Sequence, residues 1–208
     1  MSHYDDEAQV AELKKWWQEN WMALAGGLVL GLAGIFGWEY WQQSQTAKAE
    51  QASHLYGDLQ KSLDKPDQAK AMGERLVNDF SGTPYAAQGS LLLAQAAAVR
   101  KDWAVASGHL RWVIAHSDDP SLVKVAKLRL AAATWQSGEV EPALAQLEIG
   151  DDDPFAPLYL ELRGDIKLSQ NDRDGARAAY QKALELGPAP AVRDLLQRKL
   201  SDLTASAS

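Results

Sequence analysis

The sequence predicts an all-α protein with one apolar helix near the N-terminus, then a stack of helical hairpins and a capping helix at the C-terminus. Three observations predict this class. Residues 21–38 contain no charged side chain. From about residue 40 onward, apolar residues recur at helical spacing, and no run alternates as a strand does. Small residues twelve positions apart recur at four places in this part of the chain, which indicates an internal repeat.

The composition is typical of a folded protein and excludes several classes of function. Of the 208 residues, 46% are hydrophobic and 24% are charged, which is too apolar for general disorder. The absence of cysteine excludes disulfides, a thiolate zinc site and a cysteine nucleophile. The 28 acidic residues outnumber the 21 basic ones, so the basic surface of a nucleic-acid-binding protein is missing. We therefore expect no nucleic-acid partner.

The uncharged stretch at residues 21–38 is long enough to cross a membrane. As a helix it would extend about 27 Å, close to the ~30 Å hydrocarbon core of a bilayer. Aromatic residues lie at both of its ends, where interfacial belts form in membrane helices. They are Trp16, Trp17 and Trp21 on one side, and Trp38, Tyr40 and Trp41 on the other. We predict a transmembrane helix over residues 21–41, in contact with membrane lipid, after a cytoplasmic tail over residues 1–20.

Two other interpretations of this stretch are a cleaved signal peptide and the buried helix of a soluble core. A signal peptide has a basic start and an apolar region of ~7–15 residues before a small-residue cleavage site. Here the start is acidic, the apolar run is longer, and the nearest Ala-x-Ala pattern is at residues 47–49, so we favour an uncleaved anchor. Lys14 and Lys15 precede the stretch and only Lys48 follows closely, which favours an N-terminus inside the cell.

A stripe of small residues runs along the predicted span. Ala23, Gly27 and Gly31 recur every four residues, and Gly34 lies near the same face. This spacing lets two helix backbones approach closely, so the four residues are a candidate packing face for a partner helix. The general abundance of glycine in membrane helices is the other explanation of the stripe.

Helical hairpins are predicted for the remainder of the chain. Proline, glycine and aspartate interrupt the helical pattern repeatedly, at residues 65–66, 81–84, 101–102, 118–120, 138, 151–154, 171–172 and 187–190. The small residues twelve apart lie where the two helices of a hairpin would cross. They are Gly57 with Ala69, Ala94 with Ala106, Ala131 with Ala143, and Gly164 with Ala176, at separations of 37, 37 and 33 residues. The alternative to an internal repeat is that these spacings arise by chance, because alanine is frequent in this sequence.

The last hairpin carries the clearest repeat pattern. Six of the eight signature positions of the 34-residue tetratricopeptide repeat are matched, by Leu160, Gly164, Ala176, Tyr180, Ala183 and Pro188. The third hairpin is weaker, because Gly150 and the three aspartates after it cut its second helix short. Residues 191–203 have one apolar face, as a capping helix of such a stack requires. We predict a tetratricopeptide repeat-like domain over residues 42–208.

Stacks of this kind usually bind partners on a concave face, which the first helix of each hairpin lines. The repeat register gives the candidate residues, which are Leu91, Gln95, Val125, Leu128, Trp135, Leu158, Glu161, Asp165 and Leu168. They would form an apolar groove with acidic margins, suited to segments of other polypeptides. For Trp135 a packed core indole is an equal alternative.

No pattern in the sequence predicts catalysis or a cofactor. The four histidines lack the zinc spacing with a neighbouring glutamate. The aspartates at 151–153 lack the glycine and distal glutamate of a calcium loop and are typical of a solvated turn. Nucleophile-elbow, phosphate-loop and dinucleotide motifs do not occur in the sequence. We expect neither an enzyme nor a metal or cofactor site.

The whole chain resembles the YfgM-type ancillary subunits of the bacterial SecYEG translocon. The resemblance rests on the acidic tail, the glycine-rich span that ends in residues 37–41, and the segments 128–131, 162–165 and 175–177. It implies a single-pass protein of the bacterial inner membrane, with a cytoplasmic N-terminus and a periplasmic domain. It also implies association with the translocon and with a PpiD-type periplasmic chaperone, and a role in passing nascent secretory polypeptides to chaperones. A membrane-anchored scaffold for another envelope assembly is the alternative function.

Overall fold

The computed structural model describes residues 3–205 and confirms the all-α fold. Within this range the backbone forms helices and no strands: α1 (His3–Lys61), α2 (Pro66–Asp79), α3 (Pro84–Val99), α4 (Trp103–His116), α5 (Pro120–Gln136), α6 (Val140–Ala145), α7 (Ala156–Ser169), α8 (Arg173–Glu185) and α9 (Pro190–Ala205). Every predicted interruption lies at a boundary between two helices, and those at residues 65–66, 81–84, 118–120 and 187–190 end on the proline that begins the next helix. Residues 1–2 of the predicted tail and 206–208 of the predicted repeat domain lie outside the described residues.

The chain divides into two compact units, Met1–Glu50 and Gln51–Ser208. In the first unit, α1 is long and apolar enough to cross a membrane, with a mean hydropathy of 1.7 over an 18-residue window that is 0% buried. The five tryptophans of the predicted belts are 50–65% exposed. An apolar helix with this exposure fits a membrane anchor rather than the core of a soluble protein. The predicted boundaries of the tail, the span and the repeat domain stay predictions.

The second unit is a stack of helical hairpins. The end of α1 packs on α2 through Leu59 and Leu76, which belong to one buried cluster. Three hairpins follow, formed by α3 with α4, α5 with α6, and α7 with α8, and α9 packs on the last of them. The first helices of these hairpins also contact each other in series, α3 with α5, α5 with α7, and α7 with α9. We call this series the first-helix row. It confirms the tetratricopeptide repeat-like arrangement and the capping helix.

One turn structure recurs in the last three hairpins. After the first helix of each hairpin, Lys101, Gly138 and Asn171 have φ of 60°, 95° and 63°. The next residue in each case donates its N–H to a carbonyl five residues earlier, which satisfies the helix end in the manner of a Schellman motif. These turn residues are 37 and 33 positions apart, so the backbone repeats with the spacing that the small residues predicted.

The helix crossings confirm the small-residue pattern in three hairpins. Ala94, Ala106, Ala131, Ala143 and Ala176 are 0–2% exposed. Gly164 is buried against the ring of Tyr180, and a Cβ atom at residue 164 would lie only 2.6 Å from Cδ1 of that ring. No side chain larger than hydrogen fits there without displacing the ring.

In the first hairpin, the prediction that Gly57 marks the crossing is wrong. A Cβ atom on Gly57 would meet no other atom within 4 Å. The close approaches of this region lie elsewhere, at Gly73 against Leu93 and at Gly89, where a Cβ atom would lie 2.7 Å from Cδ1 of Leu76. The tightest helix contact in this region is therefore between α2 and α3, not between α1 and α2.

The shortened second helix of the third hairpin is also confirmed. The helix α6 has only 6 residues, and the turn after it is held by ion pairs. Nζ of Lys124 lies 2.6 Å from Oδ2 of Asp153, whose side chain is 18% exposed, and Lys182 pairs with Asp151. The hydrogen bond from Lys124 is the main reason that the pKa of Asp153 is lowered. The turn is thus tied to α5 and α8 rather than simply solvated.

His109 in α4 makes the stability of the stack depend on pH. Burial lowers the pKa of His109 below its ordinary value of 6.5, and Glu74 of α2 offsets this effect only in part. Below pH 6.5 the unfolded chain therefore binds more protons at this histidine than the folded chain does. The free energy of unfolding has its full value above that pH and decreases as the pH drops. We expect the Tm of the full chain to fall between pH 7.5 and pH 5, and His109→Gln to make that fall smaller.

The matched control for this prediction is His54→Gln, which changes an exposed histidine of α1. It should leave the pH dependence of the Tm as it is in the wild type. Identical pH profiles for the wild type and for His109→Gln would contradict the role of His109.

Candidate partner-binding surface

The candidate residues in the middle of the first-helix row are largely packed against the core. Leu91 is 8% exposed and belongs to a buried cluster with Ala87 and Leu110. Leu128 and Trp135 are half-buried and pack against the cluster of the third hairpin, and Val125 and Leu158 are also half-buried. Only part of each of these aliphatic side chains is therefore accessible to a partner. Most of the Trp135 indole packs against the core.

The acidic candidates Glu161 and Asp165 are occupied by the capping helix. Nζ of Lys199 in α9 donates to Oε1 of Glu161 at 2.7 Å and to both carboxylate oxygens of Asp165 at 2.6 and 2.7 Å. The hydroxyl of Tyr180, a residue that is 0% exposed, donates to Oδ1 of Asp165 at 2.6 Å. We call these four residues the Lys199 cluster. It joins α7, α8 and α9.

The electrostatics of the Lys199 cluster follow from its partial burial. Burial alone would lower the pKa of Lys199, but the hydrogen bonds to Asp165 and Glu161 outweigh it, and the pKa is raised. Burial, and then the hydrogen bond to Asp165, raise the pKa of Tyr180. At neutral pH the cluster therefore holds one ammonium group between two carboxylates and a neutral phenol.

A second contact fixes the end of α9. Arg173, at the start of α8, donates to the backbone oxygen of Leu203 at 2.6 Å, and Leu203 and Leu196 are buried with Tyr180. Beside this contact lies a hollow of about 200 Å³, lined by Leu168, Asp165 and Lys199 among others. Leu168 is 38% exposed. This end of the first-helix row is therefore closed by α9 except for the small hollow.

The open part of the row lies on both sides of α3. The α3–α5 crevice has a volume of about 340 Å³ and is lined by Gln95, Ala98, Trp103, Arg129, Ala132 and Gln136 among others. The second crevice, which we call the α1–α3 crevice, lies between the turn that follows α1 and the end of α3. It has a volume of about 390 Å³ and is lined by Leu63, Asp64, Leu92, Ala96, Val99 and Arg100 among others, and again by Gln95. The exposed side chain of Gln95, a predicted binding residue, therefore borders both crevices.

Sequence reasoning missed most of the residues that line the two crevices. Ala98 and Ala132 fall in the same repeat register as the candidates but are not among them. Their small size is what opens the crevice between neighbouring helices. Lys199 is not among the candidates, and no local signal links it to Glu161, which lies 38 residues earlier. The repeat register was the signal for the alanines, and the lysine had none.

Among the described residues, nothing packs closely on the small-residue stripe of α1. Ala23 is exposed, and Cβ atoms built on Gly27, Gly31 and Gly34 would meet no atom within 4 Å. The role of the stripe as a packing face for a partner helix stays a prediction. Among residues with described side chains, no group of three or more His, Asp or Glu could hold a metal ion.

An exposed apolar helix followed by a stack of helical hairpins is typical of a membrane-anchored helical-repeat protein. Residues 14–205 match the family model of the tetratricopeptide repeat-like domain. The ancillary SecYEG translocon subunit of Escherichia coli is 32% identical over 207 residues, which covers 98% of this chain and all of that protein. The corresponding subunits of Aggregatibacter actinomycetemcomitans and Haemophilus influenzae are also 32% identical, covering 96% and 88% of this chain and 98% and 90% of theirs. The chain therefore belongs to the family of ancillary SecYEG translocon subunits, which confirms the resemblance found in the sequence.

Proposed function

We propose that this protein is a non-enzymatic, membrane-anchored adaptor that associates with the SecYEG translocon. The observation that carries the proposal is the extent of the similarity, which covers 98% of this chain and 100% of the Escherichia coli relative. The similarity thus includes the apolar part of α1 as well as the hairpin stack. A protein that shared only the repeats would support binding in general but no particular membrane partner.

The proposal includes a topology. α1 crosses the bacterial inner membrane once, the N-terminal tail lies in the cytoplasm, and the hairpin stack lies in the periplasm. Lys14 and Lys15 on the N-terminal side of the apolar stretch support this orientation. Alkaline phosphatase fused to the C-terminus should be active in cells, whereas a reporter that works only in the cytosol should be inactive there.

In this proposal the two units of the chain have different partners. The stripe of Ala23, Gly27, Gly31 and Gly34 packs against a transmembrane helix of the translocon or of a PpiD-type chaperone. The first-helix row of the stack holds segments of emerging polypeptides and so helps pass them to periplasmic chaperones. A role in binding rather than catalysis is supported by the lack of catalytic motifs in the sequence.

Purification of the full chain from its native membrane in mild detergent tests the proposal. We expect SecYEG and a PpiD-type chaperone to co-purify. The double variant Gly27→Leu with Gly31→Leu should reduce their recovery at least fivefold, because two leucines prevent close backbone approach. Its control, Ala25→Leu with Ala33→Leu, changes small residues on the opposite face and should leave recovery unchanged. Recovery of enzymes of another envelope assembly without SecY would overturn the proposal in favour of a different scaffold.

A further inference from the structure

The part of the first-helix row that is free for a partner is apolar with a basic margin, not an acidic one. The predicted acidic margin, Glu161 and Asp165, is taken by Lys199. What stays open is the pair of crevices beside α3, which share Gln95. Each crevice is within the range of about 300–1,000 Å³ found for binding pockets.

The apolar residues of this surface are exposed or only partly buried. Val99, at the end of α3, is 79% exposed. Ala96 and Leu92 lie one and two helical turns before it and line the same α1–α3 crevice. On the other side of α3, Ala98 and Ala132 line the α3–α5 crevice. Together these residues form an apolar tract that runs across α3, with an amide donor and acceptor in Gln95 at its centre.

Two arginines border the tract without a partner. Arg129 lines the α3–α5 crevice, and Arg100 lines the α1–α3 crevice. Neither side chain has a hydrogen bond or an ion pair with the residues that the structure describes. Some other cations of the stack do have acidic partners, for example Lys182 with Asp151 and Arg177 with Asp174. Only one carboxylate, that of Asp64, lines either crevice.

The position of Arg129 is not explained by helix stability alone. A cation near a helix C-terminus stabilises the helix dipole, but only within the last turn. Arg129 lies about two turns before the end of α5 at Gln136. In a chain with 28 acidic and 21 basic residues, an apolar tract bordered by two unpaired arginines complements a ligand that is apolar and acidic.

We infer that the two crevices beside α3 bind a polypeptide segment in which acidic residues are interspersed among large apolar ones. The inference rests on the proposed function and names the kind of segment that the adaptor holds. Apolar side chains of the segment enter the crevices, its carboxylates meet Arg129 and Arg100, and Gln95 hydrogen-bonds its backbone. Segments whose apolar residues are flanked by lysine or arginine face like charges and are rejected.

The test uses the full chain in nanodiscs of neutral phosphatidylcholine, with empty nanodiscs as the background. The probes are two fluorescein-labelled 12-residue peptides with leucines at the same positions, which carry either glutamate or lysine at all remaining sites. We expect the glutamate peptide to bind about tenfold more tightly in fluorescence anisotropy, and its affinity to fall as salt is raised.

Charge reversal and crevice filling locate the site. Arg129→Glu should weaken the glutamate peptide about fivefold or more and strengthen the lysine peptide. Ala132→Trp should weaken both peptides, because it fills the α3–α5 crevice. Arg111→Glu is the matched control, since Arg111 is exposed in α4, lines neither crevice and has no ion pair in the described chain. It should change neither affinity. Melting curves show that each variant is folded.

Equal binding of the two peptides, no binding of either, or an unchanged preference in Arg129→Glu would overturn the inference. None of these outcomes affects the proposed association with the translocon, which is measured separately for each variant by recovery of SecYEG from the native membrane in mild detergent. Conversely, loss of SecYEG recovery with intact peptide preference would overturn the proposed function and leave the acidic-segment site in place.

Discussion

Replacing Gly164 with alanine is expected to destabilise the hairpin stack by about 2–3 kcal/mol. The added Cβ atom would lie 2.6 Å from Cδ1 and 2.8 Å from Cζ of Tyr180. That ring is 0% exposed, and its hydroxyl is bonded to Asp165, so the ring cannot move aside without breaking the Lys199 cluster. Alanine gains up to about 1 kcal/mol over glycine inside a helix, and the clash outweighs this gain. For a unit of this size the Tm should fall by about 5–10 °C.

Two other glycines provide matched controls for this substitution. Gly108 in α4 and Gly57 in α1 are helical, and a Cβ atom on either would meet nothing within 4 Å. Gly108→Ala and Gly57→Ala should therefore raise stability by about 0.5–1 kcal/mol each, through helix propensity alone. Thermal unfolding followed by circular dichroism in one detergent measures all three variants. A rise in Tm for Gly164→Ala like that of the controls would show that the crossing of α7 and α8 is not tight.

The contrast between Gly164 and Gly57 shows how far the sequence predicts the fold. Both glycines have a small residue twelve positions later, and that spacing correctly predicts a hairpin at both places. At Gly164 the sequence also places Tyr180 on a signature position, so the side chain that fills the crossing was predictable. At Gly57 no such residue accompanies the pair, and spacing does not determine how closely two helices approach. Close approach in this region is between α2 and α3, where Gly73 and Gly89 each meet a leucine of the other helix.

The binding surface was less predictable than the fold. A repeat register shows which residues lie on one face of a helix, but not which other elements of the chain cover that face. Glu161 and Asp165 were correctly placed on the first helix of the last hairpin. Whether they are open to a partner depends on Lys199, which lies 34 residues beyond Asp165 and belongs to no repeat. Likewise, Ala132 and Arg129 line a crevice only because α3 and α5 lie side by side in the folded chain. Long-range juxtaposition of this kind has no local sequence signal.

Replacing Lys199 with methionine is expected to destabilise the stack by about 2 kcal/mol and to loosen α9. The side chains of Lys199, Glu161 and Asp165 are only 23%, 18% and 30% exposed. Removal of the ammonium group leaves two partly buried carboxylates that repel each other without compensation, which is far more costly than removing an exposed charge. The Tm should fall by about 4–8 °C. Limited proteolysis should cut within α9 sooner than in the wild type.

The triple variant Lys199→Met, Glu161→Gln and Asp165→Asn separates the cost of unpaired charge from lost packing. It should regain most of the stability, because neutral amides at these positions need no counter-ion. Arg198→Met is the control, since Arg198 is the exposed neighbour of Lys199 on α9 and has no ion pair in the described chain. It should melt within about 0.5 kcal/mol of the wild type. If Lys199→Met also melts like the wild type, the Lys199 cluster contributes no net stability. Glu161 and Asp165 would then be available to a partner, as their repeat positions predict.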